Sequence, residues 1–233
     1  MKSLVVIPAR LDSKRFPRKP LALIDGKEMI LHVVERASNA MVSAVMVATP
    51  DREIYDLVTN NGYDCFITKH ECLTGTDRLC EVAEFYPDYD IYINVQGDEP
   101  MIDPADITNI VILKNLYYNY IINGVCTYDS PINDTNVVKV LEKAHDVLTM
   151  TRKINGVIKQ CGLYAFNGLD LNKYKNLQDK KELLAECEDI EIMLFKKYLG
   201  TPIKTVSINS TISVDMAGDI EKIMEENSNG GRN

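Results

Sequence analysis

Residues 4–10 read LVVIPAR, an uninterrupted apolar run that reaches Pro8 and then gives way to a polar, basic stretch as far as Pro20. A short apolar run that ends at a proline suits a buried strand of a parallel sheet better than a helix. Residues 94–100 read NVQGDEP and end a second apolar run with two adjacent carboxylates. Open α/β sheets bind ligands at the carboxyl ends of their strands. The two stretches therefore predict a site with a basic side for a polyphosphate and an acidic side for its Mg²⁺.

Strand and helix patterns alternate through the first half of the chain. Between residues 29 and 38, the apolar residues Ile30, Val33, Val34 and Ala37 follow the spacing of one helix face. The predicted strands are 4–8, 44–49, 64–68 and 89–95, and the predicted helices are 29–38, 52–60 and 75–85. This alternation predicts βαβ crossovers, and hence an α/β fold with a mostly parallel central sheet flanked by helices.

The second half of the chain has a less regular pattern. Its predicted elements are a helix over 104–116, β segments at 124–128 and 137–141, a helix over 189–198, a strand over 203–208 and a closing helix over 219–226. No repeat or linker marks a second autonomous domain. Residues 1–233 are therefore expected to form one domain with a frayed tail at 228–233.

The composition bounds the class of protein. A chain of 233 residues with 45% hydrophobic content can bury the core of one large domain. The formal net charge of −8 argues against a nucleic-acid-binding surface, because phosphate backbones attract concentrated positive charge. No run approaches the roughly eighteen apolar residues of a membrane span, and the apolar start is too short for a signal peptide. We expect a cytoplasmic protein that binds neither nucleic acid nor membrane.

The cysteines and histidines suggest no metal centre. The 6 cysteines are scattered without a C-x-x-C pair, so they indicate neither a zinc site nor a redox motif. They are expected to be reduced and mostly buried. The 3 histidines, His32, His70 and His145, have no metal-ligand spacing and are interpreted as surface or core residues.

The loop after the first predicted strand concentrates positive charge. Its polar and basic members are Arg10, Ser13, Lys14, Arg15, Arg18 and Lys19. Cations this close together repel one another unless an anion compensates them, and a phosphate is a natural occupant. A solvated basic loop is the alternative interpretation. The loop lacks the G-x-x-x-x-G-K-S/T pattern, so the chain is not a P-loop kinase.

Acidic residues follow two other predicted strands. Asp98 and Glu99 come directly after Gly97, where the missing side chain lets a ligand approach the backbone. Asp215 follows a short run in the same kind of position. A carboxylate at a strand end is a usual Mg²⁺ ligand in nucleotidyl transfer, and two of them can share one or two ions. Surface acids in a turn are the alternative.

Seven ordered blocks of this sequence resemble a known family. They are residues 7–10 (IPAR), 13–21 (SKRFPRKPL), 47–51 (VATPD), 74–78 (TGTDR), 94–100 (NVQGDEP), 137–140 (VVKV) and 214–215 (VD). The chain resembles the CMP-Kdo synthetase family, the 3-deoxy-manno-octulosonate cytidylyltransferases, along nearly its whole length. The QGDEP and TGTDR blocks distinguish this family from the enzymes that activate sialic acid.

The resemblance implies a nucleotidyltransferase fold of the nucleotide-diphospho-sugar transferase type. It also implies a homodimer, with a smaller β-containing region at about 120–200 that serves dimerisation and acceptor binding. The residues implied in nucleotide binding are Pro8, Ala9, Arg10, Ser13, Lys19, Thr49, Gly75, Arg78, Gln96 and Asp98. Those implied in acceptor binding are Gln96, Arg152, Gln160, Tyr164 and Glu188. Arg10, Lys19, Asp98 and Asp215 are the implied catalytic residues, with the two aspartates as Mg²⁺ ligands.

The implied reaction transfers CMP from CTP to a 2-keto-3-deoxy sugar acid, foremost Kdo, with release of pyrophosphate. The anomeric hydroxyl would attack the α-phosphorus in line with the leaving pyrophosphate, so no covalent enzyme intermediate is needed. Kdo activation would serve lipopolysaccharide or capsule assembly.

Two departures from the family pattern lie on the acceptor side. Gln160 stands where the family usually has a histidine, and the segment between Arg152 and Gln160 is much shorter than usual. Alternative acceptors are therefore 8-amino-Kdo, another ulosonic acid or a phosphonate. A catalytically silent nucleotide-binding protein is the alternative of a different class, and it is disfavoured because such a protein need not keep both metal carboxylates.

Overall fold

The computed structural model describes residues 1–13, 15–209 and 212–230, with side chains as far as residue 225. Lys14 of the basic loop and residues 231–233 of the predicted tail lie outside the described residues. Within the described part of the chain, no helix is both long and apolar enough to span a bilayer.

The strands, in chain order, are β1 (Ser3–Pro8), β2 (Leu23–Ile24), β3 (Lys27–Glu28), β4 (Ala44–Thr49), β5 (Asp64–Ile67), β6 (Ile91–Val95), β7 (Ile121–Ile132), β8 (Lys139–Lys143), β9 (Asp146–Thr151), β10 (Gly156–Asn167) and β11 (Ile203–Ser207). The helices are α1 (Met29–Ser38), α2 (Arg52–Asn60), α3 (Gly75–Phe85), α4 (Pro104–Leu116), α5 (Gly168–Lys175), α6 (Lys180–Glu186), α7 (Ile192–Lys197) and α8 (Ala217–Gly230). A 3₁₀ turn, Lys19–Leu21, ends the basic loop.

One large sheet organises the described residues. Its strand order is β5-β4-β1-β6-β10-β7-β11-β9-β8, and β2 and β3 form a separate small hairpin. The four strands β5, β4, β1 and β6 are parallel, which confirms the predicted βαβ half of the fold. Strand β10 then runs antiparallel to both β6 and β7, and β11 returns parallel to β7. The carboxyl ends of β1, β4 and β6 therefore lie together at one edge.

The apolar run of β1 is buried because helices cover both faces of the sheet. Val5 and Ile7 pack in one core cluster with residues of α1, α2 and α4. Leu4 and Val6 pack in the other, with residues of α3, α5 and α7. These four side chains are at most 1% exposed. Strand β1 is thus fixed from both sides, which holds the start of the basic loop in place.

Element boundaries in the first half agree closely with the sequence patterns, whereas the second half differs. The predicted β segment at 124–128 lies within β7, and the one at 137–141 overlaps β8. The elements β2, β3, β9, β10, α5 and α6 were not predicted. Helix α8 spans Ala217–Gly230, longer than the predicted 219–226. The 6 cysteines carry free thiols, and all but Cys65 are buried.

Truncating the core beneath the site should reduce stability strongly. Ile93 lies in the middle of β6 and is fully buried. We expect Ile93→Ala to lower the free energy of unfolding by roughly 2–5 kcal/mol, measured by urea denaturation, because the truncation leaves a cavity in a close-packed core. Ile112→Ala, at a position on α4 that is 52% exposed, is the matched control and should change stability by less than about 0.5 kcal/mol. Equal losses would contradict this placement of β6.

Candidate active site

Backbone and side-chain anchors shape the basic loop after β1. The amide of Ala9 donates to the carbonyl of Ala48 at 3.0 Å, and the amide of Leu11 donates to Oδ2 of Asp51 at 2.8 Å. Arg18 adopts a left-handed backbone conformation, with φ of 59°, and its guanidinium pairs with Glu53 on α2. The loop is therefore folded back over the carboxyl ends of β1 and β4.

Lys19 joins this loop to the two predicted metal carboxylates. Its Nζ donates to Oδ2 of Asp98 at 2.7 Å and to the carbonyl oxygen of Val214 at 2.8 Å, and it lies 3.9 Å from Oδ1 of Asp215. The amide of Val214 donates to the carbonyl of Asp98 at 2.9 Å, so the backbone also ties the two acidic segments together. Arg15 pairs with Asp215 at 2.9 Å. Residues distant in sequence thus form one compact charged cluster.

A cavity of about 740 Å³ opens beside this cluster. Its lining includes these residues of the predicted nucleotide set: Pro8, Ala9, Arg10, Ser13, Lys19, Gly75, Arg78, Gln96 and Asp98. Arg10 is exposed, and its guanidinium has no ion-pair partner within 4 Å among the described residues. Thr49, in contrast, does not line this cavity. It is fully buried, and its hydroxyl accepts the amide hydrogen of Asp51 at 3.1 Å, which supports the anchor of the basic loop.

The amino end of helix α3 forms one wall of this cavity. Thr74 caps the helix in a reciprocal capping box with Asp77, and Thr74 and Gly75 line the cavity. The helix dipole makes such an end favourable for anionic groups, although the amides of Thr74, Thr76 and Asp77 already donate to side chains. Arg78 is buried one turn further on and donates from Nη1 to the carbonyl of Thr74 at 3.1 Å. Burial lowers the pKa of Arg78 from its ordinary value.

Two buried polar atoms near this wall have no hydrogen-bond partner in the described part of the structure. They are Nε of Arg78 and Oδ1 of Asn94. A buried polar group without a partner costs about 1–3 kcal/mol, so native proteins rarely keep one without a reason. The Asn94 atom lies 3.7 Å from the place of a Cβ on Gly75. A ligand that meets these atoms would recover that cost.

Close backbone approach explains two glycines at the site. A Cβ on Gly97 would lie 2.9 Å from the carbonyl oxygen of Pro8. A Cβ on Gly162 would lie 2.4 Å from Cγ of Gln96. The carbonyl of Gly162 accepts the amide hydrogen of Gln96 at 2.9 Å and Nδ2 of Asn94 at 3.2 Å. Strand β10 is thereby fastened to the end of β6.

A second cavity, of about 1020 Å³, continues the cleft on the far side of Gln96 and Asp98. All the residues predicted to contact the acceptor line it: Gln96, Arg152, Gln160, Tyr164 and Glu188. The two cavities share Arg15, Gln96, Asp98 and Asp189. The structure therefore places the two predicted residue sets in adjoining parts of one cleft.

Tyr164 is buried between the two parts of the cleft. The side-chain amide of Gln160 donates to its hydroxyl at 3.2 Å. Burial raises the pKa of Tyr164 well above its ordinary value, so the phenol stays protonated. Burial likewise raises the pKa of Glu191, which accepts the amide hydrogen of Thr76 at 3.3 Å. These contacts hold polar groups in fixed positions around the junction.

The segment between α6 and α7 lines the cleft and contains two residues with a strained backbone conformation. Glu188 and Asp189 both have φ of 56°, a left-handed conformation that non-glycine residues rarely adopt. Glu188 is held by the hydroxyl of Thr151 and the amide of Arg152, each at 2.8 Å. The resemblance had implied a role for Glu188, whereas Asp189 was not predicted. Nothing in the sequence around Asp189 indicates that this residue lies at the cleft.

Lys139 is a further residue that sequence reasoning did not assign to the site. It is 1% exposed, and its ammonium donates to the carbonyl oxygens of Asp134, Val137 and Arg152 at 2.7, 3.0 and 2.8 Å. It thus ties together loops that line the second cavity. A lysine inside an otherwise apolar strand pattern, VVKV, was the available signal.

These features define a class of protein: a transferase whose nucleotide cavity adjoins an acceptor cavity at a pair of carboxylates. The described residues contain no group of three or more His, Cys, Asp or Glu side chains able to hold a metal ion. Two carboxylates are sufficient for a Mg²⁺ that arrives on substrate phosphates.

Comparison with known proteins identifies the family. A family profile described as "Cytidylyltransferase" matches residues 4–191. The 3-deoxy-manno-octulosonate cytidylyltransferase of Myxococcus xanthus is 35% identical over 95% of this chain and 95% of its own length. The enzyme of the same name from Polynucleobacter necessarius is 33% identical over 95% and 94%. The chain belongs to the 3-deoxy-manno-octulosonate cytidylyltransferase family.

Solved structures agree with this assignment. CMP:2-keto-3-deoxy-manno-octonic acid synthetase complexed with CTP is 30% identical, with a TM-score of 0.85 over 99% of this chain and 100% of that chain. A putative glucose-1-phosphate thymidylyltransferase from Bacillus anthracis is 13% identical, with a TM-score of 0.71 over 97% and 94%, which shows a shared fold alone. The nucleotidyltransferase fold implied by the sequence blocks is thus confirmed.

Replacing Lys139 should destabilise the protein. Lys139→Met leaves three carbonyl oxygens without their buried donor, and we expect a loss of about 2–4 kcal/mol in the free energy of unfolding, because each unpaired buried group costs about 1–3 kcal/mol. Lys143→Met, at the exposed end of the same strand, is the control and should be neutral within about 0.5 kcal/mol. Chemical denaturation of both variants measures these changes in the free energy of unfolding. A neutral Lys139→Met would show that water can replace the ammonium.

Proposed function

We propose that this protein transfers CMP from CTP to a 2-keto-3-deoxy sugar acid, in the first place Kdo, and releases pyrophosphate. The observation that carries the proposal is the single cleft in which the nucleotide-type and acceptor-type cavities meet at Gln96 and Asp98. The names of the relatives and the CTP in the similar solved structure support the same reaction.

The first cavity suits a nucleoside triphosphate. Arg10 and Ser13 face the cavity from the basic loop, and Lys19 is held beside them at the carboxylates. In our proposal, Arg10 and Lys19 bind the triphosphate. The partnerless Nε of Arg78, a residue that lines this cavity, provides a donor beside the α3 wall, which suits the polar edge of a cytosine ring.

Asp98 and Asp215 fit a Mg²⁺ ion that bridges to substrate phosphates. Their carboxylates are held close together by Lys19 and by the hydrogen bond from Val214 to Asp98. Oxygen ligands from one or two carboxylates are the usual protein contribution to such a site. When bound, the ion would withdraw negative charge from the α-phosphate and lower the pKa of the attacking hydroxyl.

The remaining catalytic contribution is positioning and charge stabilisation. The acceptor's anomeric hydroxyl oxygen forms a bond to the α-phosphorus while the bond from this phosphorus to the bridging oxygen of pyrophosphate breaks. Arg10 and Lys19 stabilise the charge that accumulates on the leaving pyrophosphate. Gln96 and Tyr164 lie at the junction of the cavities and orient the acceptor.

The acceptor side keeps a full-sized cavity despite its two departures from the family pattern. The connection between β9 and β10 spans only residues 152–155, and Gln160 occupies the cavity wall with its amide bonded to Tyr164. Arg152, Gln160 and Glu188 are proposed to contact the hydroxyl groups of the sugar acid. Other acceptors, such as 8-amino-Kdo, another ulosonic acid or a phosphonate, are alternatives that a direct screen distinguishes.

We propose further that the protein functions as a homodimer in the cytoplasm, where free thiols persist. An apolar surface supports the dimer. It consists of Tyr128, Leu141, Leu148 and Val157, which are 36–58% exposed and belong to β7, β8, β9 and β10. Exposed apolar side chains concentrated on one part of a sheet are typical of an interaction surface.

The reaction can be tested by pyrophosphate release. The purified protein should release pyrophosphate from CTP only when both Mg²⁺ and a sugar acid are present, and Kdo should be the best acceptor in a panel that includes 8-amino-Kdo, other ulosonic acids and phosphonates. Asp98→Asn should lower the rate by at least about a hundredfold, because a neutral amide is a poor Mg²⁺ ligand. Asp56→Asn removes the same charge from the exposed face of α2 and should stay within about twofold. Acceptor-independent turnover, or a fully active Asp98→Asn, would refute the proposal.

The dimer can be tested by light scattering during gel filtration. The wild-type protein should show twice the chain mass of 26.3 kDa. Leu148→Glu should shift it toward the monomer, because a charge is costly to bury in an apolar interface. Met41→Glu, at a position that is 80% exposed, is the control and should leave the mass unchanged. A monomeric wild-type protein would contradict this proposal without affecting the proposed reaction.

A further inference from the structure

One cation in the acceptor cavity forms no salt bridge with the described residues. Lys159 lies on β10, lines the second cavity and is half-buried. Among the described residues, no hydrogen-bond acceptor or carboxylate lies within bonding distance of its ammonium group. A half-buried ammonium without a partner is unfavourable unless a ligand supplies one.

The other cations of this cavity are already engaged. Their contacts are Arg15 with Asp215 at 2.9 Å, Lys222 with Asp219 at 2.7 Å, and Arg152 with the carbonyl oxygens of Asn136 and, at 3.4 Å, Glu188. An anionic group that enters the cavity would have to break one of these contacts or meet Lys159. Lys159 is therefore the cation that an incoming anion can bind at least cost.

The charge of Lys159 is maintained by a nearby acid. Burial works against the charged form, but the negative charge of Glu99 raises the pKa of Lys159 above its ordinary value. Glu99 itself accepts a hydrogen bond from the hydroxyl of Ser213 at 2.7 Å. The ammonium thus remains both charged and available.

The position also matches the chemistry of the acceptor. In a 2-keto-3-deoxy sugar acid, the carboxylate is attached to the anomeric carbon whose hydroxyl attacks phosphorus. The carboxylate must therefore lie close to the reaction centre at Asp98. Glu99 follows Asp98 directly and interacts with Lys159, and all three residues line the same cavity.

We propose that the ammonium group of Lys159 binds the carboxylate of the sugar acid and thereby selects acceptors that carry an acid on the anomeric carbon. This inference rests on the proposed function and assigns a substrate group to a residue within the same site. Lys159 makes a charge-assisted contact that is worth more in a partly dry cavity than on the surface.

The test compares Kdo with its uncharged C1 carboxamide. With the wild-type protein, the acid should bind and react better than the amide. In Lys159→Met, the KM for Kdo should rise at least about tenfold, the KM for CTP should stay within about twofold, and the preference for acid over amide should fall at least about tenfold. Lys159→Arg should restore most of this preference because it keeps the charge.

Lys175→Met is the matched control. It removes a lysine that lines neither cavity of the cleft, is 43% exposed in its side chain and pairs with Glu84. Its KM for Kdo and its acid preference should stay within about threefold of the wild type. Similar thermal unfolding midpoints for all variants would show that they are folded.

Calorimetric binding of Kdo and the amide separates this inference from the proposed function. If the wild-type protein binds Kdo but releases no pyrophosphate from CTP, the proposed reaction is wrong and the binding data still test Lys159. If Lys159→Met binds Kdo as the wild type does, or loses acid and amide binding equally, Lys159 does not bind the carboxylate. Absence of Kdo binding to the wild-type protein would overturn both.

Discussion

The contact of Lys19 with Asp98, Asp215 and the carbonyl of Val214 is the interaction on which the site depends. It joins three segments that are far apart in the sequence: the basic loop after β1, the acidic turn after β6 and the segment before α8. The lysine neutralises two carboxylates that would otherwise repel each other at short range. Since Lys19 is only 15% exposed in its side chain, solvent screens this contact weakly. This contact therefore holds the acidic and basic sides of the cleft together.

The two parts of the cleft differ in how far their charged side chains are paired with other protein groups. On the nucleotide side, Arg10 is exposed and forms no ion pair with the described residues, which suits a large anion that brings its own counter-ion. On the acceptor side, Arg152 and Glu188 are tied into a network, and the strained backbone at Glu188 and Asp189 fixes acids at the cavity wall. Lys159 is the exception there, because its ammonium forms no salt bridge with the described residues. This difference between the two cavities fits the proposed placement of a triphosphate in one and a small sugar acid in the other, with the reaction centre between them.

Strand β10 connects the two parts of the cleft through backbone hydrogen bonds. Its register with β7 shifts between Gln160 and Tyr164, and at this irregularity the carbonyl of Gly162 bonds to Gln96 and Asn94 of the neighbouring segment. A bulge of this kind redirects side chains. Here it brings three successive residues, Gln160, Cys161 and Gly162, to the cavity wall. In a regular strand, successive side chains would point to opposite faces of the sheet. The same irregularity explains why the sequence pattern of this strand was not recognised.

The sequence by itself determined the parallel half of the fold and the chemistry of its loops. Strands such as β1 and β4 are buried on both faces and read as continuous apolar runs, and the helices between them have one apolar face, so local patterns suffice. The basic and acidic runs likewise predicted an anion site and a cation site. The tertiary structure alone decided how β10 pairs, which cations are engaged and which remain available, and that Thr49 supports the basic loop from beneath. These outcomes depend on contacts between segments far apart in the chain, and the energy of such contacts is not encoded in the periodicity of any one segment.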